Sequence, residues 1–183
     1  MSAPSQPARR APSPVEAAIE TVEGARILDG PAATLGTVAR AASATPARKA
    51  LLRGDWLGHA VHPVLSDVVV GTLLSASLLD FIGGDPDGRA RRRLIAAAVA
   101  AATPTALTGL NDWAEEDSDA AVRRTGVVHA LSNSTALLLY AGSLTGGRGR
   151  GVALRLVGAA ALGAGAYLGG HLSFVKSVGV DAA

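Results

Sequence analysis

The sequence predicts an all-α fold, a four-helix up-and-down transmembrane bundle preceded by short amphipathic helices. Three observations predict it. Four long apolar stretches follow one another between residues 63 and 172. Charged residues make up only 17% of the chain, against roughly 25% in an average soluble domain. The stretches are separated by short clusters of Gly, Pro and charge, and short connections make neighbouring helices antiparallel.

Taken in order, residues 1–13 hold Pro4, Pro7 and Pro12 and few apolar side chains, and read as a disordered tail. From Pro14 the spacing of Val15, Ile19 and Val22 predicts a short amphipathic helix to about Leu28, ended by Asp29-Gly30-Pro31. Residues 32–55 are Ala-rich with scattered Arg, and predict one or two interfacial helices. The organisation is thus a polar N-terminal segment 1–55, a membrane domain 56–175 and a tail 176–183.

Span one (63–79) carries a single charge, Asp67, and span two (94–110) carries none. Span three (127–144) has no charge besides His129, and span four (156–172) none besides His171. Each is close to the minimum of about 17 residues that crosses a bilayer core. The connections are the Gly83–Gly88 turn followed by arginines, an acidic loop at 114–124, and a Gly/Arg turn at 146–151. Trp56, Phe81, Trp113, Tyr140, Tyr167 and Phe174 fall near span ends, as an interfacial aromatic belt would. Gly165-x-x-x-Gly169 and the Ala-rich second span predict close helix packing, and Pro104 a kink. Asp80 sits at a helix end and reads as solvated.

Composition narrows the chemistry. Cysteine is absent, which excludes disulfides, thiolate nucleophiles, cysteine-held iron–sulfur clusters and covalent c-type haem. The basic residues form no patch interleaved with aromatics, so nucleic acid is not an expected partner. No phosphate-binding glycine loop, Ser/His/Asp arrangement or carboxylate pair at catalytic spacing occurs. Basic residues flank both ends of the bundle about equally and set no orientation. The polar N-terminal segment, without a signal peptide, places both termini on one side, taken as the cytoplasm.

Topology gathers the histidines. His59 and His62 open span one, with a spacing that puts both on one helix face. Asn111 and Asp112 end span two; His129 and Asn133 lie near the start of span three; His171 ends span four. All then lie at one end of the bundle, where ionisable groups inside a membrane domain mark function. Asp67 reads either as an intramembrane acid that fixes a histidine tautomer or as a helix-packing hydrogen-bonder. Asn133 reads as an interhelical hydrogen-bonder.

The motifs also carry a family likeness. Leu57-Gly58-His59-Ala60-Val61-His62-Pro63, Thr108-Gly109-Leu110-Asn111-Asp112-Trp113, Arg124-x-Gly126-x-x-His129-x-x-x-Asn133 and Ala166-Tyr167-Leu168-Gly169-Gly170-His171-Leu172 resemble the four span signatures of a bacterial membrane family, domain of unknown function 2231. The likeness covers roughly residues 56–174. It implies a multi-pass protein of the bacterial inner membrane. Some relatives carry a Rieske iron–sulfur domain after the fourth helix, so the resemblance implies a separate Rieske-type or other redox protein as partner.

Three functions follow from the sequence. One is b-type haem held by His59, His62, His129 and His171 for electron transfer. The second is a non-haem zinc, copper or iron site of those histidines with Asp112. The third is a cofactor-free scaffold or assembly subunit in the lipid bilayer, including a homo-oligomer. The sequence alone does not decide whether the chain is an enzyme.

Overall fold

A computed structural model describes residues 11–116 and 119–179. Among the described residues there are seven α-helices: α1 (Pro14–Gly24), α2 (Asp29–Ala42), α3 (Pro46–Arg53), α4 (Val61–Ile82), α5 (Arg89–Glu115), α6 (Ala120–Gly142) and α7 (Arg148–Phe174). No strand occurs among the described residues. The expectations for residues 1–10, and for the last four residues of the tail, lie outside them.

α4 packs on α5 and α6 on α7, as two antiparallel hairpins. Contacts of α5 with α6 and of α4 with α7 close the ring. The α4–α5 hairpin turns where the backbone needs glycine: Gly83 and Gly88 both have φ near 70° (68° and 69°), a left-handed conformation that costs glycine no steric strain. Leu73, Ile95, Ala98, Ala136, Tyr140 and Leu162 fill the middle of the bundle.

Among the described residues, α4, α5 and α7 are long and apolar enough to cross a membrane. At 22 residues, α4 spans about 33 Å at 1.5 Å per residue, matching a hydrocarbon core about 30 Å thick. Its outward face exposes Val64, Val68, Leu74 and Leu78, as a lipid-facing surface would. The expected fourth span differs. α6 is long enough, but His129, Ser132, Asn133, Ser134 and Thr135 dilute its apolar character, and it does not match the other three. Pro104 lies inside α5, which continues through it.

The N-terminal helices form a cap on one end of this bundle. Ser13 and Glu16 make a capping box, and with Pro14 in the first turn they start α1. Asp29-Gly30-Pro31 does not end a helix, as the sequence reading had it; it begins α2. A first-turn proline lacks only an N–H that would have had no partner, and Asp29 suits the positive end of the helix dipole. Ala32, Gly36 and Ala39 form a small buried face on α2. That face lets α2 settle against α5 and α6. Ala32, Trp113, Val122, Val127, Leu172 and Val178 make the apolar cluster beneath the cap.

The opposite end is tied by charge. Asp80 is not solvated: its side chain is 10% exposed, and it lies between Arg91 and the 5%-exposed Arg155. Arg155 Nη1 also donates to Ser143 Oγ at 3.2 Å. Asp85 accepts from the backbone N–H groups of Ala90 and Arg91, which caps the start of α5. The aromatic belt is smaller than expected. Trp56, Phe81, Tyr167 and Phe174 are exposed, but Trp113 is buried under the cap and Tyr140 is fully buried, with its hydroxyl 2.6 Å from Ser77 Oγ.

Candidate functional site

The site is built twice, once in each hairpin. His62 sits in the first turn of α4 and reaches across to α5. Its Nδ1 lies 3.0 Å from the carbonyl oxygen of Thr105. A carbonyl only accepts, so the proton is on Nδ1 and Nε2 keeps its lone pair. The ring fits because residue 109 is glycine: a Cβ there would lie 2.5 Å from His62 Cε1. Ser66, one turn on, places its hydroxyl 3.4 Å from Nε2.

In the second hairpin, His129 of α6 reaches α7. Its Nδ1 lies 2.8 Å from the carbonyl oxygen of Gly165, which again leaves Nε2 as the basic nitrogen. A Cβ on Gly169 would lie 2.8 Å from His129 Cε1. Asn133, one turn on, stands over Gly165, donates to the His129 carbonyl at 2.9 Å and holds its amide nitrogen beside the ring, 3.3 Å from Nδ1 and 3.4 Å from Nε2. Asn133 was expected to bond between helices; its hydrogen bonds stay within α6, and its packing crosses to α7.

The two hairpins share one register. His62 and Ser66 stand where His129 and Asn133 stand, and Thr105 and Gly109 where Gly165 and Gly169 stand. The buried positions continue the match: Leu73 with Tyr140, Ile95 with Arg155, Ala98 with Gly158, and Thr108 with Leu168. Both imidazoles therefore lie at one depth. The apolar block around Leu73, Ile95, Ala136 and Leu162 separates them from the ion pairs at the far end.

The other candidates lie elsewhere. His59 is exposed in the loop before α4, so it shares no helix face with His62; its Nδ1 is 3.0 Å from the adjacent Ala60 carbonyl. The chain turns there through Gly54 and Gly58, whose φ values are 98° and 67°, and the helix begins only at Val61. His171 belongs to the cap seam, with Nε2 2.9 Å from Glu23 Oε1. Asp112 is buried beside Asn111 and packs under the C-terminal turn at Gly179. Asp67 is exposed on the outer face of α4 and fixes no histidine tautomer, that role falling to the Thr105 carbonyl. Among the described residues, no three His, Asp or Glu side chains gather closely enough to hold one metal ion. Comparison of the chain with protein-family models, with curated proteins and with solved structures finds no match in any of the three.

Sequence reasoning missed Thr105, Gly109 and the true task of Gly165 and Gly169. The available signal was a glycine at the same end of both return helices, read there as mere helix packing.

The cap closes over this end through ion pairs. Arg124 grips Asp29 in a fork, Nε to Oδ1 at 2.7 Å and Nη2 to Oδ2 at 3.0 Å, and donates to the Glu23 carbonyl. Glu23 also takes Lys176 at 3.1 Å. Hydrogen bonds from Arg124, with nearby Arg123 and Arg26, hold the Asp29 carboxyl below its ordinary 3.8. Partial burial works to raise Glu23, but His171 and Lys176 outweigh it and leave it below its ordinary 4.5. Carboxyls depressed by docking contribute stability above their free values, and lose it as pH falls through the depressed ones. The cap is therefore expected to stay docked at pH 7 and to loosen below about pH 4. Tryptophan emission should red-shift there as Trp113 meets water. A shift centred near pH 6 would assign the latch to other groups.

Proposed function

We propose that the chain is a multi-pass membrane protein in which His62 and His129 would hold a b-type haem, and that it carries electrons. One observation carries the reading: two imidazoles at one depth, each with Nδ1 committed to a backbone carbonyl of the facing helix and Nε2 left basic. Metal-ligating histidines are commonly oriented this way, since the hydrogen bond at one nitrogen fixes the tautomer and raises the basicity of the other.

The donor set fits haem better than a bare ion. A zinc-type site asks for three or four protein ligands, and the described residues gather no such set. A porphyrin brings four nitrogens of its own and asks the protein for two. A haem bound there would supply one-electron redox chemistry. In this reading the chain's own residues do the rest. Thr105 and Gly165 orient the rings, Gly109 and Gly169 make room for them, and the cap limits water at that end. α6 then completes the membrane domain as a fourth span. Its His129 and Asn133 face α7, as polar residues in lipid face a neighbouring helix, while Ser134 and Thr135 lie on the exposed side.

The test is the visible spectrum of the detergent-solubilised protein supplied with haem, oxidised and then reduced with dithionite. A Soret band with a sharp reduced α band is expected. His62→Ala and His129→Ala should each remove the α band, while His59→Ala and His171→Ala should keep it. Absence of a Soret band in the wild-type protein would overturn the reading, and stoichiometric metal without that band would replace it by a non-haem site.

A further inference from the structure

The two ends of the bundle differ in what meets their basic residues. At the cap end Lys49, Arg53, Arg124 and Lys176 each reach a carboxylate. At the far end, residues 80–93 and 143–155 hold seven arginines and three aspartates. Asp80 takes Arg91 and Arg155, Asp85 takes Arg91 as well, and Asp87 lies 4.0 Å from Arg89. Seven against three leaves four positive charges in excess. They are Arg92, Arg93, Arg148 and Arg150, all exposed, whose side chains make no hydrogen bond or ion pair among the described residues. Asp80 ties the start of α5 to the start of α7, so both pairs of arginines belong to one rim. Their placement does not serve the fold. They lie in the first two turns of α5 and the first turn of α7, where no acidic residue is present. A helix start carries partial positive charge, which these cations oppose.

We propose that this rim binds the phosphates of anionic glycerophospholipids. Clusters of basic residues beside a membrane span are held to acidic headgroups by charge, each worth roughly a fivefold change in affinity. A lipid is favoured over a soluble acid by what adjoins the rim. Both helices that carry the arginines run directly into apolar stretches long enough to cross a bilayer. Phe81 and Ile82 end α4 at the same level and are 73% and 64% exposed. A bilayer surface brings headgroup phosphates to the arginines and apolar chains to those two side chains together. The inference rests on the membrane reading but not on haem.

The test is competition between phosphatidylglycerol and phosphatidylcholine for the delipidated full-length protein in detergent, read by native mass spectrometry. Phosphatidylglycerol should be preferred, and the preference should shrink as salt rises, as screening requires. Arg92→Gln/Arg93→Gln and Arg148→Gln/Arg150→Gln should each weaken it, and the fourfold variant should abolish it. Arg48→Gln, at an exposed arginine of the other end, should keep it. Without lipid, the fourfold variant should unfold no earlier than wild type; earlier unfolding would mean that the arginines serve the fold, and would overturn the proposal. Equal binding of both lipids, or a preference that survives in the fourfold variant, would also overturn it. Glycerol 3-phosphate binding as tightly as phosphatidylglycerol at equal ionic strength would reject the lipid source. His62→Ala protein should show unchanged lipid selectivity, which separates this outcome from the haem reading. Extraction of the protein by salt alone, without detergent, would overturn the membrane reading itself and this inference with it.

Discussion

Replacing Asp80 by leucine is expected to destabilise the bundle by about 3–5 kcal/mol, the cost of stranding a buried charge by removing its partner. Asp80 accepts from Arg91 Nη1 at 2.8 Å, Arg155 Nε at 2.6 Å and Arg155 Nη2 at 2.8 Å, and so joins the start of α5 and the second turn of α7 to the end of α4. Arg91 would keep Asp85; Arg155 would keep only Ser143. The loss therefore falls mainly on Arg155. Removing both partners in Asp80→Leu/Arg155→Leu should recover most of it, since an apolar pair in place of a buried ion pair is often neutral or better. Asp87→Asn serves as the control. It touches a pair that is exposed on both sides and 4.0 Å apart, where little energy resides. Unfolding in detergent followed by circular dichroism measures all three. A single Asp80→Leu variant within about 0.5 kcal/mol of wild type, the range of an ordinary surface change, would show that the charges are not enclosed.

That network also marks where the sequence stopped being legible. Hydropathy and turn composition gave the helices of the bundle, because those signals are local. The pairing of Asp80 with Arg155 joins residues 75 positions apart, and nothing near Asp80 in the chain announces it. His59 was misplaced for a local reason that composition hides. The helix starts two residues later than the spacing assumed, after a turn that uses Gly54 and Gly58. The cap was half legible: Ala32, Gly36 and Ala39 recur at helical spacing, but small residues look alike whether they lie on headgroups or on another helix. The shared register of the two hairpins is nearly invisible in sequence. Of the six site residues, His62 matches His129 and Gly109 matches Gly169, while Thr105 and Gly165 correspond only through a backbone carbonyl, which the residue type does not announce.

Those two glycines give the sharpest expected result on the site. A Cβ at Gly109 or Gly169 would stand 2.5 Å or 2.8 Å from the Cε1 of its histidine, closer than real Cβ contacts come, and Cε1 is the ring atom between the two nitrogens. The imidazole must then swing off its carbonyl, which loses the tautomer lock and moves Nε2 together. Gly109→Ala and Gly169→Ala should each weaken haem binding by about 10–100-fold, the scale seen when the orienting shell of a metal ligand is broken. Alanine is otherwise the better helix former, by about 1 kcal/mol. At Gly163, where a Cβ meets nothing, the same exchange should therefore stabilise α7 and leave the spectrum alone. Titration of haem into the three variants, beside their thermal unfolding, separates the effects. If Gly109→Ala and Gly169→Ala lower stability while haem binds each as tightly as wild type, the two rings are packing elements of the hairpins, and the paired-ligand assignment fails.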